Sequence, residues 1–480
     1  MKVWSRRQGR IIDQKINITI PGGQGVMKKI GSNYEYIIIG TGPGGAPAAR
    51  ELAKAGKKVL MVEKGDYHKK FLGLPFGIRL LERYMLFARS MEGVIIERGI
   101  TVGGSSMVYQ SNVMDPPKKL IDNMGIDFSP EAKELKKEIG VEVLPEKFYR
   151  NNKGLYRMLE AAQKMGIPFR EQEKFVHADK CKLGCDWCML GCPENARWTT
   201  REHVEEAKSY GAKLIYNSPV NKVLFNAGKS KATGIQLKNG TVINGDNIIM
   251  SAGGIGSPAI LLRSGVKRLG SQEVGTRFFM DPMNIMLGYS KDSDGGLWGI
   301  QTFSHAIESM AQSEGFMIGN CSAFGTWTVL SFFRMQTAKE NLPKFPIMRR
   351  GMGLFLKLSD EAHGQIYSNE KTSKPFTATD EKKLKKGTDI MREIIIKSGG
   401  DPKTISILKW AGGHPGGTLA MGQAVNRNFS TEIDNLYVCD GSTMPVSPGA
   451  PPSLSICSMS LLLGKMLLGK VKAEDRFVNK

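Results

Sequence analysis

The 480-residue sequence predicts an α/β fold around a parallel sheet, α+β when the whole chain is counted, and three neighbouring features carry that expectation. Tyr36-Ile37-Ile38-Ile39 is an unbroken apolar run, which suits a strand buried on both faces. It passes straight into Gly40-Thr41-Gly42-Pro43-Gly44-Gly45 and a helical stretch, Ala46 to Ala55, closed by Gly56. Lys58 to Glu63 then reads as a second strand, so strand, helix and strand fit the length of one βαβ unit.

The glycines of Gly40-x-Gly42-x-x-Gly45 divide the work of a Rossmann-type dinucleotide turn. Gly40 allows the tight turn, Gly42 lets backbone approach a pyrophosphate, and Gly45 lets the helix pack on the strand with its N-terminus toward the phosphates. Glu63 stands where an acid would accept hydrogen bonds from an adenosine ribose. The motif alone does not separate FAD from NAD.

Residues 1–32 carry no clear period and read as a basic N-terminal arm. Arg6-Arg7 resembles a twin-arginine export signal, but Asp13 and Lys15 fall where its apolar segment should be. Further on, a helix is expected over Arg201–Tyr210, with strands around Lys213–Tyr216, Asn221–Phe225 and Gly234–Leu237. Asn239-Gly240 marks a hairpin, Asn247–Met250 a buried strand, and Ser257–Arg263 a helix. From about 282 to 404 Met and aromatic residues become frequent and a charged helix, Asp380–Ser398, appears. An apolar helix, Leu454–Leu468, comes late in the chain.

A hydrophobic content of 41% and a charged content of 24% are those of an ordinary globular protein. No run reaches the eighteen or so apolar residues of a membrane span. The net charge of +21 is spread along the chain, without a nucleic-acid-binding module, so acidic partners or an ordinary solvated surface are expected and nucleic acid is not. Four of the seven cysteines fall between positions 181 and 192, which argues for a reducing compartment and against a disulfide framework. The expected location is cytoplasmic, with a peripheral seat on the membrane's inner face left open.

Several separated motifs then agree. They are Arg98-Gly99-Ile100-Thr101-Val102-Gly103-Gly104-Ser105-Ser106 with Asn112, Gly253 to Val266, His414-Pro415-Gly416-Gly417-Thr418, and Val438-Cys439-Asp440-Gly441-Ser442-Thr443-Met444-Pro445. In this order and spacing the chain resembles the glucose–methanol–choline (GMC) family of flavin oxidoreductases from about residue 35 to 468. The resemblance implies FAD as cofactor and oxidation of a small-molecule alcohol (CH–OH) to a carbonyl. It also implies an FAD-binding domain built from 33–118, 196–281 and 405–472, and a substrate domain with antiparallel sheet from 119–195 and 282–404. Gly103, Gly104, Ser105, Ser106 and Asn112 would then lie along the flavin, Val220 against the adenine, and Asp440 by the phosphates and ribityl chain. His414 would take the hydroxyl proton, which suits an imidazole. Two positions depart from the family: Pro451 holds the place of its second His or Asn, and Asp281 stands where many members have His.

Cys181-x-x-x-Cys185-x-x-Cys188-x-x-x-Cys192-Pro193 brings four thiols within reach of one metal centre. Its second half reads like a ferredoxin run with one extra residue, and is similar to the segment of flavin and iron–sulfur sugar and polyol dehydrogenase large subunits. A [4Fe–4S] cluster is the expectation, with zinc or a plain cysteine-rich loop as alternatives. A cluster would make the chain a dehydrogenase that passes electrons to a redox protein or quinone. Two other readings stand beside it, a cluster-fed reductase of an apolar substrate and a non-catalytic flavin subunit. Cys321, Cys439 and Cys457 read as single buried hydrophobes. The mixed apolar and basic stretch Lys344–Lys357 reads either as a membrane-facing surface or as a core edge roofing the substrate pocket.

Overall fold

Both faces of the first strand are covered, and that burial explains its unbroken apolar sequence. Ile38 packs with Ala49, Leu52 and Val204 on one side, while Ile37 and Ile39 pack with Leu60, Ile235 and Leu261 on the other. The computed structural model describes residues 33–68, 88–183, 188, 192–293, 304–321 and 351–478.

In chain order the elements that build the site are β1 (Tyr34–Ile39), α1 (Ala46–Lys54), β2 (Val59–Val62) and α2 (Arg201–Ser209). Then come β3 (Lys213–Ile215), β4 (Val220–Phe225), β5 (Ala232–Leu237), β6 (Val242–Met250) and α3 (Gly253–Arg263). The remainder are β7 (Pro282–Tyr289), β8 (Phe316–Cys321), β9 (Gly351–Leu358), α4 (Ala378–Lys397), β10 (Ser406–Gly412), β11 (Leu436–Val438) and α5 (Ser453–Leu467).

The first sheet has the parallel order β3-β2-β1-β6-β11, with β5 added antiparallel to β6 and β4 antiparallel to β5. Register runs Ile39 opposite Val62 and Ile39 opposite Met250. Strand order reverses between β1 and β6, and such a switch point leaves a crevice beyond the carboxyl ends of the strands. β6 is longer than expected because its first half serves the hairpin with β5 and only its second half joins the parallel sheet.

The second sheet carries β10, β7, β9 and β8 side by side, all antiparallel, with the short strand Ile95–Ile96 parallel to β10. Helix α4 covers one face, where Met286, Leu354 and Leu356 meet Met391 and Ile394. On the other face Ile285, Met317 and Phe355 form a separate apolar group.

Two expected boundaries, and one of the two readings of 344–357, differ from what the structure shows. β10 belongs to this second sheet rather than to the nucleotide-binding part that was expected to begin at 405, because its edge pairs with β7. Residues 120–128, expected beyond the boundary at 119, pack through Leu120, Met124 and Phe128 into the layer formed by α1 and α5. Residues 351–357 are an inner strand, buried from Met352 onward, so this part of the 344–357 stretch cannot lie on a membrane; 344–350 lie outside the described residues. The three single cysteines 321, 439 and 457 are buried. No described helix is long and apolar enough to cross a membrane.

Candidate active site

A cavity of about 850 Å³ opens at the switch point and runs from Val220 at one end to His414 and Pro451 at the other. That volume lies near the top of the usual range for small-molecule sites, roughly 300–1,000 Å³. The residues that follow β1, β2, β6 and β11 all line it: Gly40, Glu63, Gly253 and Asp440.

At the nucleotide end the glycines separate into two kinds. A Cβ on Gly45 would sit 2.2 Å from the Gly40 carbonyl oxygen and 2.9 Å from Ile38, so this glycine serves helix–strand packing and does not line the cavity. A Cβ on Gly42 would meet only Gly104 Cα, at 3.5 Å, and Gly42 does line the cavity. The protein itself leaves that space open, as close approach of a pyrophosphate requires. Gly40 has φ +101° and no room for a side chain beside Ser251. Glu63 accepts hydrogen bonds from Thr41 N (3.1 Å), Thr41 Oγ1 (2.7 Å) and Gly65 N (2.9 Å). A carboxylate has about four acceptor positions, which leaves one for a ribose hydroxyl. Burial raises the Glu63 pKa against the pull of those hydrogen bonds. Asp440 is likewise buried and raised, and it binds Gly253 N (2.8 Å), Ser257 Oγ (2.6 Å) and Ser442 N (2.8 Å). The cavity size, the open Gly42 and the two acids fit a flavin dinucleotide.

The loop after Arg98 folds back onto Gly42: a Cβ on Gly104 would lie 2.7 Å from Gly42 Cα. Gly103 sits behind that contact and does not line the cavity, whereas Gly104, Ser105, Ser106 and Asn112 do. The Ser106 hydroxyl donates to the Gly103 carbonyl at 2.6 Å, and the Ser105 hydroxyl accepts from Gly99 N at 3.0 Å. Arg197, a residue not among those expected, fastens the loop: its guanidinium donates to the carbonyls of Ser106, Met107 and Tyr109 at 2.8–3.1 Å. Asn112 Oδ1 accepts from the buried Lys174 at 2.8 Å.

At the far end three strands of the second sheet deliver one residue each. Asp281 immediately precedes β7, Lys357 is next to last in β9, and His414 stands two residues past β10. Pairing of Met283 with Lys357 and of Pro282 with Gly412 brings them together. His414 Nδ1 lies 2.9 Å from Asp281 Oδ2. A carboxylate can only accept, so Nδ1 carries the proton and Nε2 is the bare acceptor. Nε2 has no hydrogen bond within the described residues, and the ring, 23% exposed, lines the cavity. Burial and the nearby Lys357 cation hold His414 down at about 4, against the pull of Asp281 upward. The imidazole is thus neutral through the physiological range. Beside the charged Asp281 and Lys357, the cavity is lined by the apolar Phe279, Met283, Phe355, Met444 and Ile456.

Of the four candidate metal ligands, Cys185 lies outside the described residues. Cys181 and Cys192 both pack against the apolar group of Leu144, Phe148 and Val176. The Ala196 amide donates to Cys192 Sγ at 3.3 Å. Cys188 is partly exposed.

Two sequence models described as GMC oxidoreductase match residues 34–283 and 346–460. The long-chain-alcohol oxidase FAO4A of Arabidopsis thaliana is 25% identical, over 91% of this chain and 69% of its own length. An uncharacterised protein of Methanocaldococcus jannaschii, MJ1450, is also 25% identical, over 89% of this chain and 98% of its own. Among solved structures, Aspergillus oryzae formate oxidase superposes with a TM-score of 0.68 at 14% identity, covering 92% of this chain and 99% of that one. Pyridoxine 4-oxidase from Mesorbium loti gives 0.66 at 15% identity, covering 91% and 99%.

Proposed function

The chain belongs to the GMC oxidoreductase family, FAD enzymes that act on CH–OH groups, and on that premise we propose that it oxidises an apolar alcohol to the carbonyl, with His414 as the base. The observation that carries this reading is the lone pair of His414 Nε2, fixed by the Asp281 carboxylate and facing an apolar cavity. When bound, FAD supplies the acceptor for the hydride that leaves the carbinol carbon. Glu63, Asp440 and the Gly42–Gly104 contact would hold it, with Val220 at the adenine end. The chain's own part is to bind the alcohol against Phe355 and Met283, to take the hydroxyl proton on Nε2, and to keep water out of the apolar end. A long hydrocarbon alcohol suits those walls, as it does the Arabidopsis relative by name.

The electrons' exit is a second part of the proposal. The names of the alcohol, formate and pyridoxine oxidases speak for dioxygen. The spacing of the thiol run speaks for an iron–sulfur cluster that would relay electrons to a redox protein or quinone. Iron and acid-labile sulfide analysis of anaerobically purified protein decides between them. The alcohol reading is tested by adding primary alcohols of increasing chain length, without oxygen, and following bleaching of the oxidised flavin. Bleaching that grows with chain length and is absent in His414→Gln is the expected result. Flavin that no alcohol reduces would overturn it.

A further inference from the structure

A neutral imidazole can take a proton, yet the oxygen that loses it also needs a donor, and Pro451, which lines the cavity, has none to offer. We propose that Lys357 is a second catalytic residue, its ammonium donating to the substrate oxygen, and that Asp281 positions it together with His414. This rests on the alcohol-oxidation reading and names the residue that completes it.

Lys357 sits in an inner strand, 7% exposed at its side chain, with Met283 and Met317 beside it on the flanking strands. Burying an ammonium there costs several kcal/mol after relaxation. Among the described residues its ammonium has one ion-pair partner, Asp281 Oδ2 at 3.2 Å. An ammonium has three donors, so two remain for whatever fills the cavity it lines. The same Asp281 oxygen receives His414 Nδ1 at 2.9 Å, so ammonium and imidazole are no further apart than the two bonds laid end to end. A structural ion pair of this kind gains little over apolar packing, and Phe355 shows that this face of β9 accepts apolar side chains.

The backbone around Asp281 points the same way. Asp281 adopts φ +56°, a left-handed conformation that a side-chain-bearing residue rarely takes. It is held there by Asp360, whose carboxylate accepts from the amides of Met280 (3.1 Å) and Asp281 (2.9 Å). Asp360 in turn pairs with the fully buried Lys374 at 3.1 Å, with Asp380 at 3.9 Å from that lysine. The Glu97 carboxylate lies beside Gly413, the residue before His414. The neutral His414, the Asp281 carboxylate and the Lys357 ammonium sum to zero charge. As the hydroxyl proton moves to Nε2, negative charge grows on the substrate oxygen and Lys357 answers it. The O–H and C–H bonds would break and C=O form, with bound flavin as the hydride's acceptor, while Lys357 keeps its own proton throughout.

The test uses flavin-loaded protein and the variants Lys357→Met, Lys357→Gln and Lys357→Arg, with flavin content measured for each. Loss of one donor to a developing oxyanion lowers kcat by about 10²-fold, and that loss is expected in K357M, with KM little changed and a partial return in K357R. A second readout is independent of turnover: the His414 titration, followed by NMR of ring-labelled histidine, should rise from about 4 once the cation is gone. A folded, flavin-loaded K357M with kcat lowered less than about tenfold, or with an unmoved His414 titration, overturns the proposal. Should K357M not fold, K357Q is judged by the same two measures. If the parent oxidises no alcohol, the proposed function falls instead, while the titration still reports whether Lys357 governs the imidazole.

Discussion

The two ends of the cavity are made in different ways. At the nucleotide end the chain offers backbone and space: Gly40, Gly42 and Gly45 lie within six residues, and Glu63 closes the next strand. At the chemical end it offers three charged or polar side chains, Asp281, Lys357 and His414, drawn from strands more than fifty residues apart. A site built locally can be read from spacing. A site built by register across a sheet cannot, because spacing along the chain says nothing about which strands become neighbours.

The largest expected effect breaks the comparison at its chemical end. Replacing His414 with Gln removes the base but keeps a side chain of similar size beside Asp281. A positioned general base contributes about 10²–10⁴-fold, so kcat with a good alcohol should fall by that factor while flavin content stays that of the parent. Turnover and flavin stoichiometry on the same preparation check it. A variant that loses its flavin as well would mean that the two ends are not separable.

The next effect sharpens the comparison inside the nucleotide end. Gly45→Ala forces a Cβ to within 2.2 Å of a carbonyl oxygen, so the fold must give; overpacking of this sort costs about 1–3 kcal/mol. Gly42→Ala meets nothing closer than 3.5 Å. Its apoprotein should unfold within about 0.5 kcal/mol of the parent, while flavin affinity drops about tenfold or more. Urea unfolding and flavin titration separate the two glycines. Equal loss of stability in both would show that Gly42 is packed like Gly45 and that the open space beside it does not serve a ligand.

This contrast also explains how much was legible beforehand. The βαβ unit, Glu63, Asp440 and His414 could be placed because each lies in a local motif whose residues fold against one another. Gly103, expected along the flavin, lies one layer behind it, its space taken by Met107 and Arg201, while Gly45 packs helix on strand as its place in the motif implies. Arg197 gave no signal at all, because a guanidinium that fastens three carbonyls looks like any surface arginine in sequence. Lys357 gave a weak one: a single charge in the run Leu354-Phe355-Leu356-Lys357-Leu358, where every described neighbour is apolar and buried. Read alone, that run suggested a membrane surface or a pocket roof. Only the antiparallel pairing with β7 turns the lysine toward a partner.

The smallest effect concerns how the charged end titrates. His414 is held at about 4 against an ordinary 6.5, so between those values only the unfolded chain takes up its proton. Its contribution is therefore complete above pH 6.5 and is lost as pH falls toward 4. Asp360 behaves oppositely. Burial lifts it from 3.8 to about 6, so its contribution is complete at low pH and is lost as pH rises through 6. The two slopes oppose each other over the same window, so the contributions of this pair nearly cancel there. His414→Gln removes one of them. The stability of the parent minus that of H414Q, from urea midpoints across this window, should then climb with pH by up to roughly 3 kcal/mol. A level difference would mean that the imidazole titrates in the folded chain as it does in water. The chemical end would then be as solvated as any surface histidine, and its contrast with the nucleotide end would vanish.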